Sequence, residues 1–144
     1  MLGSVTFYSP SDAAARTGFS LDTLRYYERI GLLAPVARTA GGRRRFTETD
    51  IRWLLLLRCL RQTGMPIAQI ARFAELTRAG EHTIPDRITL LEEHDQFVSK
   101  QAARLQDSQR QIRAKIRYYS SVPAAGLRPD RPVSATVPGP AQAS

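Results

Sequence analysis

Apolar residues recur along this chain in short, interrupted stripes, then settle from residue 84 into one long regular spacing. Phe7-Tyr8-Ser9 reads as a very short strand running into Pro10, a residue suited to the first turn of a helix. The helix so begun, about 10–17, is rich in small residues (Ala13, Ala14, Ala15) and ends at Gly18. A second short helix follows within residues 19–33. Ser20 stands where an N-cap belongs, Asp22 puts negative charge into the first turn, and Gly31 supplies the left-handed turn that stops the helix. Leu21, Leu24 and Ile30 offer an inward face, while Thr23, Arg25, Tyr26 and Arg29 spread over the outside. Two short helices joined by Thr17-Gly18-Phe19-Ser20 form a helix-turn-helix whose second member suits a major groove. The plain alternative is an ordinary solvated amphipathic helix.

Next come Val36-Ala37-Arg38, then Thr39-Ala40-Gly41-Gly42, then Arg43-Arg44-Arg45-Phe46: two extended pieces around a Gly-Gly turn. Strand alternation puts Arg43 and Arg45 opposite Arg44 and Phe46. A charged hairpin beside a recognition helix is a wing, although an arginine run can also be mere solvated surface. Thr47-Glu48-Thr49-Asp50 then opens a helix that reaches about Thr63 before Gly64 ends it. Its two apolar stripes, Ile51-Leu54-Leu55-Cys59 and Trp53-Leu56-Leu57-Leu60, make it central to a core. Arg52, Arg58 and Arg61 are left to solvent, within reach of phosphates. Pro66 begins a further helix with Ile67, Ile70, Ala71 and Ala74 at core spacing.

From residue 84 a strict four-three spacing holds Ile84, Ile88, Leu91, Asp95, Val98, Ala102, Leu105, Gln109, Ile112, Ile116 and Tyr119. That is a coiled-coil seam, roughly 50 Å long at 1.5 Å per residue. No second long helix in the chain can cover it, so a homodimer is the economical partner, with Asp95 and Gln109 available to set register. Beyond Ser121 the chain is rich in Pro, Ala and Gly, and a disordered tail over 121–144 is expected. The division is therefore a DNA-reading domain at 7–78, a dimerisation helix at 82–120, and the tail.

Charge adds a partner. The net charge is +8 and the pI about 10.5, so polyanions are favoured. Residues 1–78 carry twelve arginines against six acids, which places the basic character in the N-terminal half. Arginine suits bidentate contact with phosphate and guanine. The lone cysteine, Cys59, excludes an internal disulfide and a cysteine-rich zinc site. No apolar run is long enough for a signal peptide or a membrane span, so a protein of a reducing cytoplasm, located on the nucleoid, is expected. No nucleophile, base and orienting group fall into a catalytic pattern, so enzyme function finds no support.

The order of helix, turn, T-L-R-Y-Y-E-R-I-G-L-L, arginine hairpin, Leu-rich helix and T-G-M-P-I-A-Q-I resembles the MerR family of bacterial transcription regulators. The resemblance covers residues 7 to about 76 closely and the coil less specifically. It implies a mainly α fold, a winged helix-turn-helix followed by an antiparallel coiled coil. It also implies a homodimer that binds double-stranded promoter DNA between spaced elements and distorts it so that RNA polymerase can engage. By position, Arg25 and Tyr26 match recognition-helix residues and Arg44 the wing arginine, whereas Arg43 stands where the family commonly has tyrosine and Ala34 where a lysine often precedes the proline. The full set expected at DNA is Ser20, Thr23, Arg25, Tyr26, Tyr27, Arg29, Arg43, Arg44, Arg45, Arg58 and Arg61. Tyr27 is open between packing and phosphate contact.

A sensor is the remaining question. His82 and His94 without a soft ligand make a poor transition-metal cage, so neither metal nor cofactor is expected. R-C-L-R-Q-T-G-M resembles a single-cysteine subgroup that responds to aldehydes and other electrophiles, and the neighbouring Arg58 and Arg61 favour a thiolate. The competing reading makes Cys59 a small buried hydrophobe on a leucine-rich helix. Two other functions stand beside regulation: an effector-independent architectural DNA-binding protein, and a coiled-coil adaptor with a residual basic domain.

Overall fold

The computed structural model describes residues 6–123, so most of the tail expected at 121–144 lies outside the described residues. The chain is mainly helical: β1 (Phe7–Tyr8), α1 (Pro10–Thr17), α2 (Leu21–Arg29), β2 (Ala37–Arg38), β3 (Arg44–Thr47), α3 (Glu48–Gln62), α4 (Ile67–Ala79), a 3-10 turn at Glu81–Thr83, and α5 (Ile84–Ser121). Three serine or threonine hydroxyls open helices. Ser9 accepts from the Asp12 amide, Ser20 from the Thr23 amide, and Thr47 forms a full capping box with Asp50. Each satisfies amides that the first helical turn leaves free. Gly18 takes φ +75° and returns its N–H to the Ala14 carbonyl, the left-handed turn that separates α1 from α2.

The wing hairpin is wider than the sequence pattern implied. β3 is the centre of a three-stranded antiparallel sheet, with β1 pairing Tyr8 to Phe46 on one side and β2 pairing Arg38 to Arg44 on the other. Residues about forty positions apart pair here, a non-local choice that two-residue strands cannot announce.

One core gathers Leu24 and Tyr27 of α2, Leu32 and Leu33 of the following loop, Phe46 of β3, Ile51, Leu54, Leu57 and Leu60 of α3, and Met65 and Ile70. Two expected faces are corrected. On α2 the inward pair is Leu24 and Tyr27, whereas Leu21 and Ile30 are exposed. On α3 the buried row advances in steps of three, and Leu55 and Cys59 fall outside it. Trp53 and Leu56 flank that row half-buried; Trp53 stacks on Phe73 of α4 at 5.5 Å and donates its indole N–H to the Leu32 carbonyl at 2.7 Å.

The compact unit that holds this core runs through residue 102 and so includes the first half of α5. Leu90 and Leu91 pack against the core, and His94 is buried. Gly64, at φ +92°, is the point of close approach, since a Cβ there would meet the Phe97 ring at 3.3 Å. His94 Nε2 lies 2.7 Å from Thr63 Oγ1. The Thr63 hydroxyl has one proton and sits 2.8 Å from the Cys59 carbonyl, so it donates there and accepts from the imidazole N–H. In the unit that begins at residue 103, Leu105, Ile112, Ile116, Tyr118 and Tyr119 are all exposed along the helix.

Candidate nucleic-acid interface

Helix α2 presents its polar residues as its cap and period dictate. The Ser20 and Thr23 hydroxyls lie 2.9 Å apart at the helix start. Arg25 and Tyr26 are exposed, Tyr26 at 44%, and Arg29 leans over the Tyr26 ring at 5.4 Å. Among the described residues Arg25 pairs with Asp22, at 3.5 Å across open surface, a contact that water screens. Tyr27 is 6% exposed and packs edge-on against Phe19 at 5.2 Å. Of its two readings, packing is the one the structure supports.

The wing arginines divide into three kinds. Arg43 is exposed beside the Gly42 turn. Arg45 lies over the Phe7 ring at 3.7 Å, a cation–π contact that ties β3 to β1. Arg44 turns to α2, where its Nε and Nη2 both donate to Glu28 at 3.3 Å. A notch of about 180 Å³ between α2 and the wing is lined by Leu21, Arg25, Arg38, Arg43 and Arg44. Around the start of α1, Tyr8 donates its phenol to Glu48 at 2.7 Å, and this hydrogen bond pushes the phenol above its ordinary pKa.

Helix α3 corrects one further expectation and narrows another. Arg58 does not escape to solvent: its Nη1 donates to the Thr17 carbonyl at 2.9 Å and so ties α3 to the end of α1. The reason is the turn between α1 and α2, where Gly18 lacks a Cβ that would run into that guanidinium. Arg52 and Arg61 are exposed. Cys59 is exposed too, which removes the buried-hydrophobe reading. His82 is exposed, and His94 is committed to Thr63. Among the described residues no three of His, Cys, Asp and Glu converge as a metal cluster, and no helix is long and apolar enough to cross a membrane.

Two residues of the interface escape a reading by type. Leu21, expected inside, lines the notch, one helical turn from Arg25. Glu28 is the other, and its signal was present: residues 23–47 contain six arginines and this single carboxylate.

Comparison with known proteins agrees with this geometry. Residues 8–76 match the MerR HTH family regulatory protein description, and residues 51–115 match the family's DNA-binding description. An uncharacterized HTH-type transcriptional regulator of Haemophilus influenzae is 41% identical over 119 residues, spanning 83% of this chain and 88% of that protein. The crystal structure of HiNmlR, a MerR family regulator lacking the sensor domain and bound to promoter DNA, superposes with a TM-score of 0.72 at 41% identity, covering 80% of this chain and 91% of that one. A MerR family regulator from Listeria monocytogenes gives 0.74 at 34% identity, covering 79% and 86%. With its helix-turn-helix, arginine wing and long C-terminal helix, the chain belongs to the MerR family of DNA-binding transcription regulators.

Proposed function

We propose that the protein is a homodimer that binds a pseudo-palindromic promoter operator, distorts the DNA, and thereby controls engagement of RNA polymerase, acting in the cytoplasm on the nucleoid. The carrying observation is the notch where Arg25 of α2 meets Arg38, Arg43 and Arg44 of the wing. Cations on two elements joined by a short loop suit a groove edge and the phosphates beside it. Arg25 and Thr23 face bases; Tyr26 and Arg44 hold the backbone; Ser20, Arg29, Arg43, Arg45 and Arg61 add phosphate contacts around them. A relative solved on promoter DNA supports the partner.

Residues 7–78 read DNA, and 82–120 pair two copies. The exposed stripe of Leu105, Ile112, Ile116 and Tyr119 asks for an apolar cover in water. An antiparallel second copy supplies it, with Ile84, Ile88, Leu91, Val98 and Ala102 continuing the seam. Two recognition helices then meet two half-sites, and their phosphate contacts offset a bending cost of a few kcal/mol.

The signal enters at Cys59. Its thiol is exposed, between Arg58 and Arg61 in sequence, and the helix turn that carries it is bonded through Thr63 to His94 of α5. An aldehyde or another soft electrophile is the class such a thiol would take. The test is transcription in vitro from the region upstream of this protein's coding sequence, combined with footprinting, using wild type and Cys59→Ala with and without an added aldehyde. A protected region, and a rise in transcript confined to wild type, are expected. Protection without any change in transcription would sink the regulatory reading and favour an architectural protein.

A further inference from the structure

Glu28 sits on α2, its side chain 17% exposed, and it meets both strands of the wing. Arg44 of β3 reaches both of its oxygens through Nε and Nη2. Arg38 of β2 stands 3.7 Å from Oε1, and the Val36 amide lies 3.5 Å from Oε2. Arg38 also donates Nη1 to the Gly42 carbonyl at 2.9 Å, so one arginine both braces the hairpin turn and answers the carboxylate. The adjoining notch is bordered by four guanidinium side chains, Arg25, Arg38, Arg43 and Arg44. Cations gathered so closely repel one another unless an anion lies among them. The planar guanidinium fork accepts a carboxylate and a phosphate in the same geometry, so a DNA phosphate entering the notch competes directly with Glu28.

We propose that Glu28 is a positioning residue for DNA binding: it is the built-in counter-anion of a phosphate seat between the recognition helix and the wing. It aims Arg44 and Arg38 and lowers the seat's general affinity for phosphate, so that binding depends on the groove geometry of the operator. This rests on the operator reading and deepens it. Arg38, with 47% of its side chain exposed against 24% for Arg44, is the partner that turns further toward the incoming phosphate, and Arg44 meets it from its place beside Glu28. Without the carboxylate, the arginines would take phosphate from any sequence, because phosphate contacts carry affinity and no base information.

The experiment titrates the full chain, as wild type, Glu28→Gln and Arg44→Gln, onto a duplex of its own upstream region and onto a scrambled duplex of equal length, over a series of KCl concentrations. Glu28→Gln is expected to bind the scrambled duplex about threefold tighter or more, with a log–log salt slope steeper by about one per subunit. Its preference for the upstream region should fall about tenfold. Arg44→Gln should move scrambled binding and slope the opposite way. Both variants weakening together is what a merely structural role predicts, and it overturns the proposal, as does a Glu28→Gln chain with wild-type slope and preference. If Glu28→Gln loses its helical circular dichroism, the double variant Glu28→Gln/Arg44→Gln replaces the ion pair with two hydrogen-bonding amides. It should restore the slope that Arg44→Gln flattens; a slope that stays flat overturns the proposal. A wild type that protects no region sinks the operator reading alone, since the scrambled-duplex slopes still decide for or against Glu28.

Discussion

At the scale of single residues, one helical step separates core from surface. Leu54 and Leu55 are chemically identical and adjacent, yet Leu54 is 0% exposed and Leu55 43%. Truncating Leu54 leaves a cavity that the packed neighbours fill only in part. Leu54→Ala should therefore cost about 2–5 kcal/mol in urea unfolding, while Leu55→Ala stays within about 1 kcal/mol. Equal losses at both sites would contradict the three-residue advance of the buried row. The same distinction governs the polar residues. Tyr26 and Tyr27 are neighbours in a motif, but one projects and the other packs on Phe19. Arg58 and Arg61 look alike on paper, and a free carbonyl at the end of α1 captures only Arg58. Residue type suggested DNA for all four; the fold leaves Tyr26 and Arg61 exposed and gives Tyr27 and Arg58 partners within the protein.

Among the elements, α5 has two occupations. Along its first half Leu90, Leu91 and His94 lie against the body that reads DNA, and the seam positions Ile84 and Ile88 remain exposed beside them. The four-three spacing was legible because a coiled-coil seam is a local periodicity. The docking face beside it was not, because Leu90, His94 and Phe97 owe their burial or contact to α3, α4 and the turn at Gly64, all distant in sequence. The wing gives a similar lesson. Its hairpin could be read from Gly41-Gly42 and the arginines, whereas its third strand and its tie to α2 through Glu28 depend on residues far outside the hairpin. A charge placed in the seam should act on assembly and leave this body intact. Ile112→Glu buries a carboxylate in each copy of a dimer, at about 2 kcal/mol or more apiece. Sedimentation equilibrium is expected to report a monomer with unchanged helical content. A dimer as tight as the wild type would rule out the seam as the pairing surface.

For the whole molecule, the arginine excess of residues 1–78 predicts how binding responds to salt. If two subunits together engage about six phosphates, affinity for non-specific duplex should fall by about a thousandfold between roughly 50 and 200 mM salt. Anisotropy titrations at several KCl concentrations measure this, and a nearly flat response would mean that the notch does not bind phosphate. The sequence by itself determined the order of elements, the helix caps at Ser20 and Thr47, the winged helix-turn-helix, the basic half and the heptad seam. These follow from local periodicity, capping chemistry and charge, which act between near neighbours in the chain. Only the tertiary structure decided that Cys59 is exposed, that Tyr27 is buried and Arg58 bonded to the end of α1, that β1 completes the wing, and that Glu28 faces its arginines. Those outcomes depend on which distant groups share a boundary, since burial, ion pairing and hydrogen bonding are properties of neighbours in space.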